Sequence, residues 1–395
     1  MTWVVIILLI ILAIALPHIS VLIMIISFLI YFFRIKKKNI NPKKRNTKNS
    51  KKKESQTQNK QENINNISSY IESNYINQNN YYPDSLLLDG LKVGEILLIE
   101  WLSNKKQSSL PPQYFAATYN INTNTSITKL KHHNFIRTAT PSESLISLKV
   151  IDLKNILKLN NLKMSGNKSE LIQRIIDNIS ESEYAHRLSP SWHLTKKGQR
   201  IVDKYDLIIW THKNGSKDFT VTPLTVLPYL NSGKSNEEIA IFVSEKTFRG
   251  NLIELNYGAA CSNLLYQSDI YESQNNLHQS LHCLLASLVL ELTGVGNSDP
   301  DYINIHKYNI DTSYIKASII DVQRKLQLTN KELELELSET YDFYIANVSK
   351  IRLYKDKKEF TSLYNILMYG TMKQFQNKID KLIEKLPKKY TTIGG

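Results

Sequence analysis

Residues 147–179 read SLKVIDLKNILKLNNLKMSGNKSELIQRIIDNI. In the first half, Val150, Leu153 and Leu157 recur at helical spacing with Ile156 beside them, which predicts a short amphipathic helix. Ser147 is the expected N-cap, and Asn160 and Asn161 end the run. Leu162 and Met164 then alternate with Lys163 in a short extended piece, and Ser165, Gly166 and Asn167 make a turn. A second helix is expected to open near Lys168, with Leu171, Ile172, Ile175 and Ile176 on one face. Two short helices joined by an extended link bury only a small core.

The order of these residues resembles the SAP motif, a helix-extended-helix module. Leu148, Val150, Leu153, Lys154, Leu157, Leu162, Gly166, Lys168, Leu171, Ile172 and Arg174 fall where that family's pattern has apolar, basic and glycine positions. The resemblance implies binding to DNA, often AT-rich, and in some members binding to protein. The chemistry of the stretch is compatible with DNA. Gly166 lets the backbone approach a phosphate, and the second helix offers free N–H groups to an anion. Lys168 and Arg174 add charge there, with Lys149, Lys154, Lys158 and Lys163 around them. The expected DNA-binding residues are therefore Lys149, Lys154, Lys163, Gly166, Lys168 and Arg174.

Upstream, order is expected from Pro83. Val93–Leu102 reads as a buried helix, Pro111 and Pro112 open a second through Phe115 and Tyr119, and Ser126–His133 reads as a third. Phe135, Ile136 and Arg137 read as a short strand. Three short helices and a strand outline a winged-helix-like domain over 83–142. Residues 101–142 hold no carboxylate but five bases, Lys105, Lys106, Lys129, Lys131 and Arg137. His132 and His133 are neighbours on one helix and read as surface residues rather than ligands. This region followed by a SAP-like stretch resembles uncharacterised SAP-containing proteins of bacteria and phages.

The N-terminus has another character. Trp3 to Phe33 is apolar apart from Pro17, His18, Ser20 and Ser27, about 46 Å of helix at 1.5 Å per residue. A bilayer core needs about 20 residues. The expectation is one transmembrane anchor over 1–35, kinked at Pro17, rather than a cleaved signal peptide, because apolar sequence resumes after the Ala13-x-Ala15 site. Arg34, Lys36, Lys37 and Lys38 follow as membrane-proximal bases facing lipid head groups. That implies a single-pass cell-membrane protein with its body in the cytoplasm. Residues 36–82 are Lys, Asn, Gln and Ser with few apolar positions, and read as a disordered linker.

The 395 residues carry a formal net charge of +14, most of it in two zones: +11 over residues 1–53 and +7 over 101–180. Two cysteines, Cys261 and Cys283, make no disulfide framework, although one bridge between them is open. Beyond the motif, 181–395 is expected to be mixed and mostly helical. Thr195, Lys196, Lys197 and Gly198 could start a helix, a sequence resembling winged-helix regulators. Leu207–Trp210 reads as a buried strand, and 214–251 as turn-rich. Ser232–Ser235 is not a P-loop, because Pro228 stands where its first glycine belongs. His278 and His282 are one turn apart, but Gln279 replaces the glutamate of a zinc protease, so no metal or other cofactor is expected. Helices are expected over Leu277–Leu292, Tyr314–Leu328 and Lys331–Val348, and over Glu359–Leu386 with a break near Gly370.

The expected fold class is mainly α with minor β: a transmembrane helix, winged-helix-like and SAP-like parts (the latter over 143–180), and a helical C-terminal region. The expected function is a membrane-anchored DNA-binding protein, not an enzyme, with membrane lipids as a second partner. The rival reading is a membrane-tethered scaffold for protein partners.

Overall fold

Val93–Leu102 (VGEILLIEWL) forms α1, and it is apolar nearly all round: Val93, Ile96, Leu97, Leu98, Ile99 and Leu102 are all buried. A helix without a polar face must be surrounded, and the first half of the fold wraps it. The computed structural model describes residues 87–294, 313–345 and 352–387. The one acid buried on α1, Glu95, is satisfied by Lys129 Nζ at 2.7 Å, by Ser126 Oγ at 3.3 Å and by the Lys92 N–H at 3.0 Å. Such a charge is tolerable only when paired and hydrogen-bonded.

Around α1 lie α2 (Tyr114–Ala117), which inserts Phe115, and α3 (Thr123–His132), whose N-cap Asn122 accepts from the Thr125 N–H. Strand β1 (Ile136–Thr138) follows. The chain then leaves this core through α4 (Pro141–Ser144), a 3-10 turn at Leu145–Ser147, α5 (Val150–Leu159), α6 (Lys168–Asn178) and α7 (Glu181–Ala185). It returns as β2 (Trp192–Leu194), antiparallel to β1, with Ile136 opposite Leu194 and Thr138 opposite Trp192. A single bridge between Lys106 and Ser191 adds the loop after α1 to the other side of β2. Helices α8 (Lys196–Lys204) and α9 (Asp206–Asn214) then close over α1. One core therefore joins Ile96, Phe115, Leu130 and Ile136 with Trp192, Ile201, Tyr205 and Ile208. The segment between the two strands packs on a core of its own, built from Leu145, Leu148, Leu153, Ile156, Leu157, Leu171, Ile175, Ile179 and Tyr184.

The remaining helices are α10 (Asn236–Ile253), α11 (Tyr257–Ser273), α12 (Leu277–Glu291), α13 (Ser313–Leu326), α14 (Asn330–Ile345), α15 (Lys357–Tyr369) and α16 (Met372–Ile383). Their core centres on α12, where Leu284, Leu285, Leu288 and Val289 meet Leu264, Ile319, Leu333, Tyr354 and Tyr364. Cys261 and Cys283 are both free and buried.

The expected transmembrane helix and single-pass membrane location are corrected. No helix of the described residues is long and apolar enough to cross a membrane. The 18-residue α10 carries Glu237, Glu238, Glu245, Lys246 and Arg249. The more apolar α12 has 15 residues, about 22 Å of helix, against a bilayer core of about 30 Å. Residues 1–35, with Arg34, and the linker 36–82, with Lys36, Lys37 and Lys38, lie outside the described residues. The fold class that stands is mainly α with a small two-stranded sheet.

Two local expectations also change. Leu207–Trp210 is helical, in α9, not a strand. Four consecutive apolar residues suit either state, and here Leu207, Ile208 and Ile209 are buried because two different cores claim them. Residues 236–251, part of the stretch expected to be turn-rich, lie in α10, which starts behind a capping box in which Ser235 and Glu238 exchange bonds with each other's backbone N–H.

Candidate nucleic-acid interface

Within the inserted segment, α5 starts from Lys149, whose N–H is bonded by Asp152 at 3.3 Å. Ser147, the expected cap, instead donates to the Ser144 carbonyl and closes the 3-10 turn. α5 ends at Asn160, and Asn161 takes a left-handed φ of 53° while the Leu162 N–H reaches back to Leu157 O. The extended link leads to Gly166, at φ 128°, a conformation that side chains disfavour. Asn167 caps α6 and forms a capping box with Glu170. Each helix buries one face, Leu153, Ile156 and Leu157 against Leu171 and Ile175. Val150 and Ile176, both expected inward, are instead partly exposed, because so small a core covers only a narrow stripe of each helix.

The two bases expected to matter most have intramolecular roles. Arg174 donates from one guanidinium nitrogen to Lys163 O at 2.6 Å and to Ser165 O at 3.0 Å, so it clamps the extended link onto α6. Lys168 donates to Ile146 O at 2.7 Å and ties the start of α6 to the 3-10 turn. The structure thus brings Arg174 to Lys163, and Lys168 to the turn three residues ahead of Lys149. Lys154 stands half-buried on α5 apart from both contacts. Lys149, Lys154, Lys158 and Lys163 form no ion pair among the described residues. Gly166 and Lys163 are exposed.

The base of the insertion is pinned to the hairpin. Arg137 of β1 makes a bidentate pair with Glu143 of α4, both bonds 2.7 Å, and His193 Nε2 of β2 lies 3.4 Å from the same carboxylate. Chiefly the Arg137 hydrogen bonds, then the Thr140 N–H and the His193 charge, hold the Glu143 carboxyl at about 2 despite some burial. Ser191 Oγ donates to Ser144 Oγ at 2.9 Å in a buried contact beside it. Sequence reasoning missed this triad because His193 lies 50 residues beyond Glu143 and meets it only once β1 and β2 pair.

Elsewhere, His282 Nε2 faces Tyr344 OH at 3.5 Å, and burial lowers its pKa. Among the described residues, no group of three or more His, Cys, Asp and Glu is placed to hold a metal.

A helix-extended-helix unit whose bases Lys149, Lys154, Lys158 and Lys163 form no ion pair among the described residues has the form of a small nucleic-acid-binding module. The comparison with known families agrees: residues 147–180 match the SAP domain, so the chain carries a SAP domain there. That is a DNA-binding module rather than a catalytic one, and it lends no support to a lipid or protein partner. No curated protein and no solved structure matches the chain.

Proposed function

We propose that this chain binds duplex DNA, mainly through phosphates, using the SAP domain together with a winged-helix-like unit around α1, α2, α3 and the β1–β2 hairpin. The observation that carries the reading is the set of bases on the SAP domain, Lys149, Lys154, Lys158 and Lys163, which lack ion-pair partners among the described residues, together with the exposed Gly166 turn. The winged-helix-like reading is supported by element order: helix, bridge residue Lys106, two helices, then paired strands, with β2 between Lys106 and β1. Binding of this kind is strongly salt-dependent, with at most a modest preference for AT-rich sites.

The test is an anisotropy titration of a labelled duplex against the full chain at two salt concentrations, with Lys149→Ala/Lys154→Ala/Lys163→Ala beside the wild type. The expected result is a shallower salt dependence, by about 0.9 for each phosphate no longer neutralised. Unchanged affinity and slope would remove the rim as the binding surface. The rival protein-binding reading has one observation in its favour, the exposure of Ile151 and Leu159 on α5 at 60% and 62%. Partners that survive nuclease digestion in a pull-down would favour it.

A further inference from the structure

We infer that a second basic surface, at the corner where α3 ends and α8 begins, contacts the same duplex as the SAP domain. The inference rests on the DNA-binding reading above and extends it to residues on the far side of the insertion. Two stretches free of Asp and Glu, residues 101–142 and 184–202, come together on the hairpin. At their junction Thr195 Oγ1 donates to Asn134 O at 2.6 Å, and Lys197 Nζ donates to His133 O at 2.9 Å while lying 4.2 Å from the centre of the Phe135 ring. These bonds join the end of α3, which carries Lys131, His132 and His133, to the first turns of α8, which carry Lys196, Lys197 and Arg200.

Lys131, Lys196 and Arg200 are exposed, and their side chains form no ion pair or hydrogen bond among the described residues. Arg200 lies four residues after Lys196, so both project from one face of α8. Of the carboxylates nearest in sequence, Glu143 is paired with Arg137 and Asp203 accepts from Gln199 at 2.8 Å. The exposed side of α3 adds Asn124, whose side-chain amide is an uncharged donor. A cluster with this excess of positive charge fits a polyanion.

The separation of the two surfaces permits one duplex to span both. β1 has three residues, about 10 Å of strand, and the SAP insertion departs directly from its end. A unit of its size is about 20 Å across. The corner and the SAP rim therefore lie within about one helical turn of DNA, roughly 35 Å.

The experiment uses the full chain and a labelled 20-bp duplex, read by anisotropy over a salt series. Lys131→Ala/Lys196→Ala/Arg200→Ala is expected to lose about tenfold or more in affinity and to lower the salt slope by about 2–3. The charge-keeping variant Lys131→Arg/Lys196→Arg/Arg200→Lys should bind as the wild type does. Unchanged affinity and slope in the alanine variant would overturn the inference. So would equal binding of polyglutamate and duplex, both lost in the variant, since that marks a general ion exchanger. If the rim variant is neutral while the corner variant is weakened, the SAP rim reading fails and the corner stands as the duplex-binding surface.

Discussion

The backbone of Gly198 lies against the carbonyl oxygen of Phe135, so close that a Cβ on residue 198 would overlap that oxygen. The contact is with main chain on both sides, and no rotamer change can relieve it. Gly198→Ala is expected to cost about 1–3 kcal/mol, the range for overpacking a filled site, measured as a shift in the urea midpoint. A change below about 0.5 kcal/mol would show that the α8 start is not seated as described. Glu143 makes a different kind of contribution. Its carboxyl titrates at about 2 when folded, below its ordinary value of 4.5. A depressed carboxylate stabilises the fold above the unfolded value and loses that effect as pH falls through the folded one. Glu143→Gln is therefore expected to cost about 1 kcal/mol at pH 7, allowing for solvent screening of the pair. Urea titrations at pH 7, 5 and 3 should show the gap between the two proteins closing from about pH 5 toward pH 2. A gap constant across that range would mean that the charge is not what holds the contact.

At the scale of elements, the extended link between α5 and α6 has no ladder of its own, and Arg174 supplies what a partner strand would. Its guanidinium bonds two link carbonyls at 2.6 and 3.0 Å, which sets the position of Gly166 and of the exposed Lys163. Arg174→Ala should free the link and weaken duplex binding several-fold. Arg174→Lys should restore charge but not the double contact, and so recover only part of the affinity. Amide exchange at residues 163–166 separates the readings, because removing a mere phosphate ligand would leave that exchange as in the wild type. The helices of this unit are legible in sequence because its signals are local: apolar spacing in α5 and α6, Asn161 and Gly166 at the turns, Asn167 and Glu170 at the cap. The same is true of α1, whose observed ends match those expected. α9 is not legible, because Leu207–Trp210 carries no period, and only Asp206 at its start and Lys213 near its end, suited to the helix dipole, mark it as helical. α10 does carry a local signal, Ser235 followed three residues later by Glu238, which the turn-forming residues around it obscure. The basic corner is beyond sequence reasoning: Lys131 and Arg200 are 69 positions apart, and the elements that carry them are joined only by the pairing of β1 with β2 and the Thr195 and Lys197 bonds beside it.

For the whole molecule, the pairing of β1 with β2 makes the SAP domain a graft on a fold that can close without it. The Ala139 N–H bonds Ser191 O at 2.9 Å, so the insertion leaves and returns at adjacent positions of one hairpin. The core around α1 draws on residues before β1 and after β2 and takes none from between them. The inserted core is likewise built wholly from its own residues, and joining it through two neighbouring strand ends adds little loop-closure entropy for the rest of the chain. Replacing residues 140–190 by Asn-Gly, the preferred two-residue hairpin turn, should therefore leave cooperative unfolding intact, with a midpoint within about 5 °C of the wild type. Lys131, Lys196 and Arg200 stay in place in that variant, so the corner keeps its charge while the SAP rim is gone. Weak duplex binding with a reduced salt slope is expected to remain, and adding Lys131→Ala, Lys196→Ala and Arg200→Ala should abolish it. If the excised protein instead failed to fold, the strands would depend on the Arg137–Glu143–His193 contact and the Ser144–Ser191 bond to stay paired. The SAP domain would then be a structural member of the hairpin rather than a graft on it.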